Sequence, residues 1–255
     1  MYAEERQQAM AHLISRRGRL SVVQLAEQFE VTTETVRRDL STLDRMGLVR
    51  RVHGGAVPAG SLTAIESGIG ERDQSNTQAK EAIANAAVSL LPPPDSVIVI
   101  DAGSTTARFA AALPRDHRLT VITHAVPVAA RLAGSPHIEL HLLPGRVRPT
   151  TQAAVGSDTV AALADLRADV AFLATNGLTL DHGLTTPDRD EAATKRAIVG
   201  AARRTVVLAD SSKIGVESSI RFATLGDVDV LVTDSGIDDV ERKTLEDHDV
   251  EVVVA

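Results

Sequence analysis

Two pairs of arginines have the chemistry to contact nucleic acid. Arg37 and Arg38 lie within an amphipathic stretch, and Arg50 and Arg51 follow it closely in the chain. The planar guanidinium of arginine can grip a phosphate or the acceptor edge of guanine. Because two adjacent arginines on a helix are more often only a solvated face, the elements that present them decide between the two interpretations.

The apolar residues around the first pair predict a helix that exposes it. Val36, Leu40 and Leu43 recur at helical spacing and form one apolar stripe. A threonine at position 32 or 33 can cap the start of this helix through its side-chain oxygen. The stripe faces a core, so that Arg38 points outward and Arg37 lies on the flank.

The neighbouring segments complete a winged helix-turn-helix. Apolar residues between 10 and 14 predict a first helix, and residues 21–24 fit a capping box at the start of a second. Residues 48–52 predict a strand and 53–55 a turn, which together form the wing. In this arrangement the last helix enters the major groove of DNA. The residues predicted to contact DNA are Thr33, Thr35, Arg37, Arg38, Ser41, Arg50, Arg51 and His53.

The charge of the chain is divided between its two parts. The net charge is −7 over 255 residues, which by itself argues against nucleic acid. Residues 1–57 nevertheless hold nine arginines against seven acidic residues, whereas the remainder holds 18 basic against 27 acidic residues. A mildly basic head on an acidic body suits a DNA reader attached to a domain that does not bind DNA.

Composition excludes several classes of protein. There is no cysteine, so neither a disulfide framework nor a thiolate metal site is possible. The histidines lack metal-ligand spacing, and we expect no metal and no cofactor. No apolar run approaches the roughly 20 residues needed to span a bilayer. The first residues have no signal-peptide character, so we expect a soluble, cytoplasmic protein.

After the head, β-branched apolar runs alternate with helical stretches. This alternation predicts an α/β domain with a mostly parallel sheet covered on both faces. We expect a winged helix-turn-helix domain at 1–57, a partly ordered linker at 58–77 and the α/β domain at 78–255. Strands are predicted at 97–100, 120–123, 139–143, 170–174, 205–209, 228–233 and 250–254, and helices at 79–91, 125–132, 157–166, 190–202 and 238–248.

One strand end has the residues of an anion site. The first strand of the sheet runs into Asp101, and Gly103, Ser104, Thr105 and Thr106 follow directly before a helix. Glycine allows a sharp turn, and the hydroxyl groups join the free N–H groups at the helix start. Asp101 could accept hydrogen bonds from sugar hydroxyls. The alternative is that the loop merely caps its helix.

Other strand ends carry polar residues, and ligands of such sheets bind at the carboxyl ends of the strands. Lys213 stands out because the chain has four lysines against 23 arginines. Glu191 and Lys195 are four residues apart and share a helix face, although an ordinary solvated pair would have the same spacing. The polar strand-end segments are Thr123-His124, Pro144-Gly-Arg146, Thr175-Asn-Gly177 and Asp210-Ser-Ser-Lys213.

The motifs resemble those of the DeoR family of bacterial transcriptional regulators. In the head the resemblance rests on Thr35-Val-Arg-Arg-Asp-Leu40, Leu43, Gly47 and Arg51-Val-His-Gly-Gly-Ala56. In the body it rests on Asp101-Ala-Gly-Ser-Thr-Thr106, Gly183-Leu-Thr185, Glu191, Lys195 and Asp210-Ser-Ser-Lys213. It covers nearly the whole chain.

This resemblance implies a sensor domain similar in fold to ribose-5-phosphate isomerase and coenzyme A transferases. It further implies a repressor of sugar-metabolism genes that a phosphorylated sugar releases from its operator. The residues assigned to the effector site are Asp101, Gly103, Ser104, Thr105, Thr106, Thr123, His124, Gly145, Arg146, Glu191, Lys195 and Lys213.

Two departures from the family pattern lie where the ligand should bind. His124 stands where many members have asparagine, and Pro144 stands where many have the first of two glycines. The segments 124–127 and 142–151 look most like the fructose-operon branch, which implies a fructose phosphate. Arg146 and Arg148 could grip a second phosphate, or they could be surface charges.

Other functions remain open from the sequence. A phosphosugar isomerase fused to a DNA-binding head would need a positioned general base. The Asp-Gly-Ala-Asp stretch of ribose-phosphate isomerases is absent, because the segment Asp169-Val-Ala-Phe172 lacks its glycine and second aspartate. We therefore expect binding without turnover. Nothing separates repressor from activator. A small head gains affinity by dimerising on a two-fold operator, so we expect a homodimer or homotetramer.

Overall fold

The computed structural model describes residues 3–17, 20–52, 54–58 and 68–255. The chain divides into two compact units, 1–62 and 63–255, which we treat separately. His53 and residues 59–67 of the predicted linker lie outside the described residues. None of the described helices is long and apolar enough to cross a membrane.

The first unit is a winged helix-turn-helix. Its strands form a three-stranded antiparallel sheet in the order β1-β3-β2. The two-residue strand β1 was not predicted, because a pair of residues carries no periodicity. The elements are α1 (Ala3–Arg17), β1 (Leu20–Ser21), α2 (Val22–Phe29), α3 (Thr33–Arg45), β2 (Val49–Val52) and β3 (Gly55–Pro58).

Capping defines where the helices of this unit begin and end. Ser21 and Gln24 form the reciprocal capping box of α2, as the sequence predicted. Thr32 caps α3 by accepting a hydrogen bond from the main-chain N–H of Thr35 at 3.2 Å. Gly47 follows α3 with φ +66°, a conformation that glycine adopts without strain. Gly55, which was predicted to lie in the turn, is instead the first residue of β3.

The second unit is an α/β domain. The elements are α4 (Ile69–Gln74), α5 (Thr77–Ala87), β4 (Ser96–Ile100), α6 (Ser104–Ala112), β5 (Leu119–Thr123), α7 (Val126–Leu132), β6 (Ile138–Leu142), β7 (Arg146–Arg148), β8 (Ala153–Val155), α8 (Ser157–Ala164), β9 (Ala168–Leu173), β10 (Gly177–Thr179), β11 (Gly183–Thr186), α9 (Arg189–Ala201), β12 (Ala202–Leu208), β13 (Ile220–Ala223), β14 (Val230–Thr233), α10 (Asp239–Glu246) and β15 (Glu251–Val254).

A seven-stranded parallel sheet organises this unit. Its strand order is β15-β14-β12-β9-β4-β5-β6. Side chains of β4 alternate between the two faces of the sheet, so that Ile98 and Ile100 pack in the hydrophobic core on one face and Val99 packs in the core on the other. Phe109 on α6 packs on Phe172 of β9 with ring centroids 4.2 Å apart. Because all seven strands run parallel, their carboxyl ends lie at one edge of the sheet.

Shorter elements escaped prediction. β7 pairs with β8 as an antiparallel hairpin, and β10, β11 and β13 form a small separate sheet. Strands of three or four residues give too short an alternation to recognise, and β10 and β11 also contain glycine and threonine. The linker predicted at 58–77 was expected to be partly ordered, and its described residues include helix α4.

Helix α4 is fastened to the second unit at both ends. The N–H of Ile69 donates to the carbonyl of Thr150 at 2.8 Å. The ammonium of Lys80, which is 3% exposed, donates to the carbonyls of Arg72 and Ser75. Burial lowers the pKa of Lys80 to about 8. The buried ammonium of Lys80 thus satisfies two main-chain carbonyls at the C-terminal end of α4.

Candidate functional site

The predicted polar segments meet at the carboxyl edge of the sheet. The loops after β4, β5, β9 and β12 all leave from this edge, because the four strands are parallel neighbours. Helix α9 contributes side chains from the same side. The sequence-assigned residues of these loops are largely buried.

Asp101 is the centre of a buried charged cluster. One carboxylate oxygen lies 2.9 Å from Nε2 of His124, and the other accepts from Nζ of Lys195 and from the N–H of Ala174. Burial alone would raise the pKa of Asp101, but Lys195 and His124 outweigh it and lower the pKa to about 2. Asp101 is therefore ionised at neutral pH and holds two side chains in place.

Lys195 and His124 are fixed by further contacts. Nζ of Lys195 also donates to the carbonyl of Ala174 at 2.9 Å and lies 5.4 Å from the ring centroid of Phe222. Nδ1 of His124 lies 2.8 Å from the carbonyl of Ala154 on β8. The imidazole thus ties the end of β5 to the loop after β4 and to the β7–β8 hairpin.

The loop after β4 presents donors that the protein does not use. The main-chain N–H groups of Ser104, Thr105 and Thr106 are the first three of α6, and none has an acceptor among the described residues. The hydroxyls of Ser104 and Thr105 likewise have no partner among those residues, whereas Thr106 Oγ1 donates to the carbonyl of Gly103 at 3.1 Å. The loop provides several donors at a helix N-terminus.

Close packing explains the glycine of this loop. A Cβ at Gly103 would lie 2.7 Å from the Cβ of Ala174, on the loop after β9. The residue is extended, with φ 169°, so that its lack of a side chain rather than its backbone freedom is what the site requires. The loops after β4 and β9 can approach each other only with glycine here.

Glu191 belongs to a second buried group. Its carboxylate lies 2.6 Å from Nη1 of Arg148 and accepts a hydrogen bond from Thr151. Arg148 also lies 3.4 Å from Asp188, which caps α9. Glu191 and Lys195 are each 3% exposed and bind different partners, so the interpretation of them as an ordinary solvated pair was wrong.

Three assigned residues lie at the margin of these clusters. Thr123 is buried, and its hydroxyl donates to the carbonyl of Ile100 at 2.7 Å, which holds β5 to β4. Gly145 has φ +141°, and a Cβ there would meet Thr159 Oγ1 at 2.2 Å. Arg146 is exposed and pairs with Asp190 at 2.8 Å.

Lys213 lies in a short 3-10 turn, Ser211–Lys213, after β12. Its ammonium makes no hydrogen bond or ion pair among the described residues. The carboxylate of Asp210 is occupied by Asn76 at 2.9 Å and by the hydroxyl of Ser212. Burial chiefly lowers the pKa of Lys80, and the positive charge of Lys213 lowers it further.

The first unit exposes the residues that were assigned to DNA. Arg37 is exposed beside Glu34, 3.5 Å away, and Arg38 is exposed without a side-chain partner among the described residues. Arg51 of β2 donates to the hydroxyl of Ser41 at 2.8 Å, which joins the wing to α3. The other assigned residues in the described part are the exposed Thr33 and the half-buried Thr35 and Arg50.

Asp39 has a structural role that sequence reasoning missed. It is 3% exposed and accepts from Nε of Arg6 at 2.7 Å and from Nε2 of Gln7 at 2.8 Å. These contacts join α3 to α1. The sequence did contain a signal for this role, because Asp39 lies next to Leu40 on the apolar side of the helix. A buried charge at such a position is unfavourable unless it has a partner, which indicates an ion pair.

The comparisons with known proteins agree with this architecture. The model described as "DeoR-like helix-turn-helix domain" matches residues 6–61, and that described as "DeoR C terminal sensor domain" matches residues 75–235. Among the described residues, no group of three or more histidine, aspartate or glutamate side chains could hold a metal ion.

Several relatives are transcriptional regulators over nearly their full length. The HTH-type transcriptional regulator GlpR of Haloferax volcanii is 36% identical over 253 residues, covering 99% of this chain and 98% of the relative. FruR of Bacillus subtilis is 34% identical, covering 96% and 98%. The HTH-type transcriptional repressor GlcR of Bacillus subtilis is 31% identical, covering 92% and 89%.

A solved structure is also similar. Ribose 5-phosphate isomerase A from Methanocaldococcus jannaschii aligns with a TM-score of 0.41 and 20% identity over 55% of each chain. The family matches and the relatives point to a regulator rather than an enzyme, with DNA and a small-molecule effector as its partners. This chain belongs to the DeoR family of transcriptional regulators.

Proposed function

We propose that this regulator represses sugar-metabolism genes and leaves its operator when a phosphorylated sugar binds at the carboxyl edge of the sheet. One observation carries the proposal. The N–H groups that begin α6, together with the hydroxyls of Ser104 and Thr105, converge without protein acceptors in the described residues. A phosphate needs several donors at once, and a helix N-terminus supplies them with a favourable dipole.

The charged residues around the loop have separate tasks in this proposal. Lys213 supplies the cation for the phosphate, because its ammonium has no other partner among the described residues. Asp101 positions Lys195 and His124 beside the sugar part of the effector. It does not accept hydrogen bonds from the sugar hydroxyls itself, because Lys195 and His124 already occupy its carboxylate oxygens. Thr123, Gly103 and Gly145 shape the backbone that brings these groups together.

The second buried group favours a single phosphate on the effector. Arg148 already lies against Glu191 and Asp188, and Arg146 pairs with Asp190. A second phosphate would have to displace these carboxylates from the arginines. This displacement is unfavourable, because it leaves the buried carboxylate of Glu191 unpaired and brings the carboxylates close to another negative charge. We therefore propose a monophosphate. A fructose phosphate is the first candidate, because residues 124–127 and 142–151 resemble the fructose-operon branch.

Repression and assembly complete the proposal. A relative of similar length, GlcR, is named a repressor, which favours repression over activation. The exposed face of α3 reads the major groove, with Arg37, Arg38 and the wing residue Arg51 on the phosphates or bases. His53 would extend the wing contact. Two heads in a homodimer or homotetramer would bind a two-fold operator.

The test is to place a negative charge in the phosphate loop. Thr105→Glu should repel the phosphate and leave the head unchanged, so that the variant binds operator normally but no longer responds to effector. Because coupling between sites is typically about 1–3 kcal/mol, its loss is visible as an operator titration that sugar phosphate does not shift. The measurement is a gel-shift or anisotropy titration with a panel of hexose and pentose monophosphates and bisphosphates.

Two further variants keep the test decisive. Ala111→Glu adds the same charge on the exposed far end of α6 and should respond like the parent. Since Thr105 is 5% exposed, the larger glutamate could prevent folding. Thr105→Val replaces only the hydroxyl with a methyl group of similar size, and it should weaken the response to effector while the protein stays folded. A folded Thr105→Glu variant that responds like the parent would place the phosphate site elsewhere.

A further inference from the structure

Strand β6 forms one edge of the central sheet. It is the last strand in the order of the sheet and pairs only with β5 in the described part of the chain. Leu142 is 54% exposed, and the side chains of Glu139 and His141 are 72% and 55% exposed. An edge that displays apolar and unpaired main-chain groups can pair with another strand.

The direction of the main-chain groups limits how a partner can bind. The carbonyl of His137 and the N–H of Leu143 are bonded to β5. Because successive residues of a strand direct these groups to opposite sides, the odd-numbered residues of β6 face β5. The N–H and carbonyl groups of Ile138, Leu140 and Leu142 therefore face outward.

The sequence of this edge is complementary to itself. In an antiparallel pair centred on Leu140, each outward-facing residue meets an outward-facing residue: Leu140 meets Leu140, and Ile138 meets Leu142. Within one strand, Nε2 of His141 already lies 3.1 Å from Oε1 of Glu139. In the pair, the same two side chains also stand opposite each other across the two-fold axis, so the contact can extend to both copies. Such non-hydrogen-bonded pairs bring side chains closest, with Cα atoms about 4.5 Å apart. Opposite charges and hydrogen-bonding partners are favourable there.

Neighbouring registers are worse. Centring the pair on residue 139 sets Glu139 against Glu139, and centring it on 141 sets His141 against His141. The other edge strand, β15, lacks this complementarity, because its odd-numbered residues face β14 and a pair centred on the outward-facing Val252 sets Glu251 against Val253. The charge pattern therefore selects β6 over β15, and one register over the others.

We propose that two copies of this chain associate through β6, paired antiparallel about Leu140, so that their sheets become continuous. This inference rests on the proposed homodimer and adds the surface that forms it. The partner is a second copy, because the pairing of Glu139 with His141 is satisfied in both directions by the same sequence.

The experiment uses two full-length variants with opposite charges on the edge. His141→Glu makes the edge acidic, and Glu139→Lys with His141→Lys makes it basic. Each should raise the dimer dissociation constant by about tenfold or more, since like charges then stand directly opposite each other. When the two variants are mixed, every cross-strand pair becomes Glu with Lys, and heterodimers should form. Light scattering and sedimentation at micromolar concentration measure both outcomes.

The swap of Glu139→His with His141→Glu is the matched control. It exchanges the two side chains and preserves every cross-strand pair, so it should remain as dimeric as the parent. Dimers of unchanged stability in both charged variants would overturn the β6 surface while leaving the homodimer itself intact. A monomeric parent would overturn the homodimer as well, and charged variants that are monomeric but do not associate on mixing would overturn the proposed register.

Discussion

The two units treat their charged residues in opposite ways. In the first unit the arginines assigned to DNA are exposed or half-buried, and the buried charge of Asp39 only joins two helices. In the second unit, Asp101, Glu191 and Lys195 are all buried at the candidate site. A surface that meets DNA needs solvated charges that are free to move. A pocket for a small molecule needs charges that are already fixed, and these must be balanced within the protein.

This contrast predicts the largest effect for Asp101→Asn. The change leaves the ammonium of Lys195 buried without a counter-charge, and removing one partner of a buried pair costs about 3–5 kcal/mol. We expect the free energy of unfolding of the second unit to fall by that amount, as measured by urea denaturation. Asp181→Asn, in an exposed turn, is the control and should change little. A decrease in unfolding free energy below about 1 kcal/mol, which is typical of a surface ion pair, would show that Asp101 does not behave as a buried charge.

The pH dependence sharpens the same prediction. The pKa of Asp101 is about 2 in the folded protein, below its ordinary 3.8. A lowered carboxyl pKa contributes stability above the ordinary value, and this contribution is lost as the pH falls from about 4 towards 2. The difference in unfolding free energy between the parent and Asp101→Asn should therefore narrow across that range.

A smaller effect is expected for Asp39→Asn in the first unit. The substitution removes the charge that accepts from Arg6 and Gln7, and hydrogen bonds to charged groups are worth about 1.5–3 kcal/mol. Melting of the first unit should shift, whereas the second unit should unfold as before. Glu34→Gln, at an exposed position on the same helix, serves as the control. An unchanged first unit would show that α1 and α3 are joined by apolar contacts alone.

The smallest effect on stability is expected for Arg38→Ala. The side chain is exposed, so unfolding should be nearly unchanged, while operator affinity should fall by about 1–3 kcal/mol if the contact is to a base. Arg115→Ala, an exposed arginine of the second unit, should leave operator binding intact. If neither Arg38→Ala nor Arg37→Ala weakened binding in a gel shift, α3 would not be the recognition helix.

The same contrast explains what the sequence could predict. Helical periodicity alone placed Val36 and Leu40 inside, which left Arg38 outside. The alternation of strands and helices likewise predicted the parallel sheet and the edge where Asp101 lies. Periodicity cannot report which side chains meet across that edge. The pairing of Asp101 with Lys195, 94 residues away, and of Glu191 with Arg148 depends on loop geometry.

The short elements were missed for a related reason. The hairpin of β7 and β8 has three residues in each strand, and it supplies both Arg148 and the carbonyl that contacts His124. Its local sequence is rich in proline, threonine and arginine, which is typical of a loop. Tertiary contacts rather than local propensity stabilise it, so only the folded chain shows that it borders the site.

The strand order has a consequence for how the protein is made. In the first unit, the sheet and helices join segments that are close in sequence. In the second unit, β4 at the centre of the large sheet pairs with the distant β9, and Asp101 can form its ion pair only after Lys195 has been synthesised. Non-local pairings of this kind slow folding, and chains fold from the N-terminus as they leave the ribosome. We expect the DNA-binding unit to be folded while the sensor domain is still being synthesised. A nascent chain would then carry a folded DNA-binding unit before it can bind an effector.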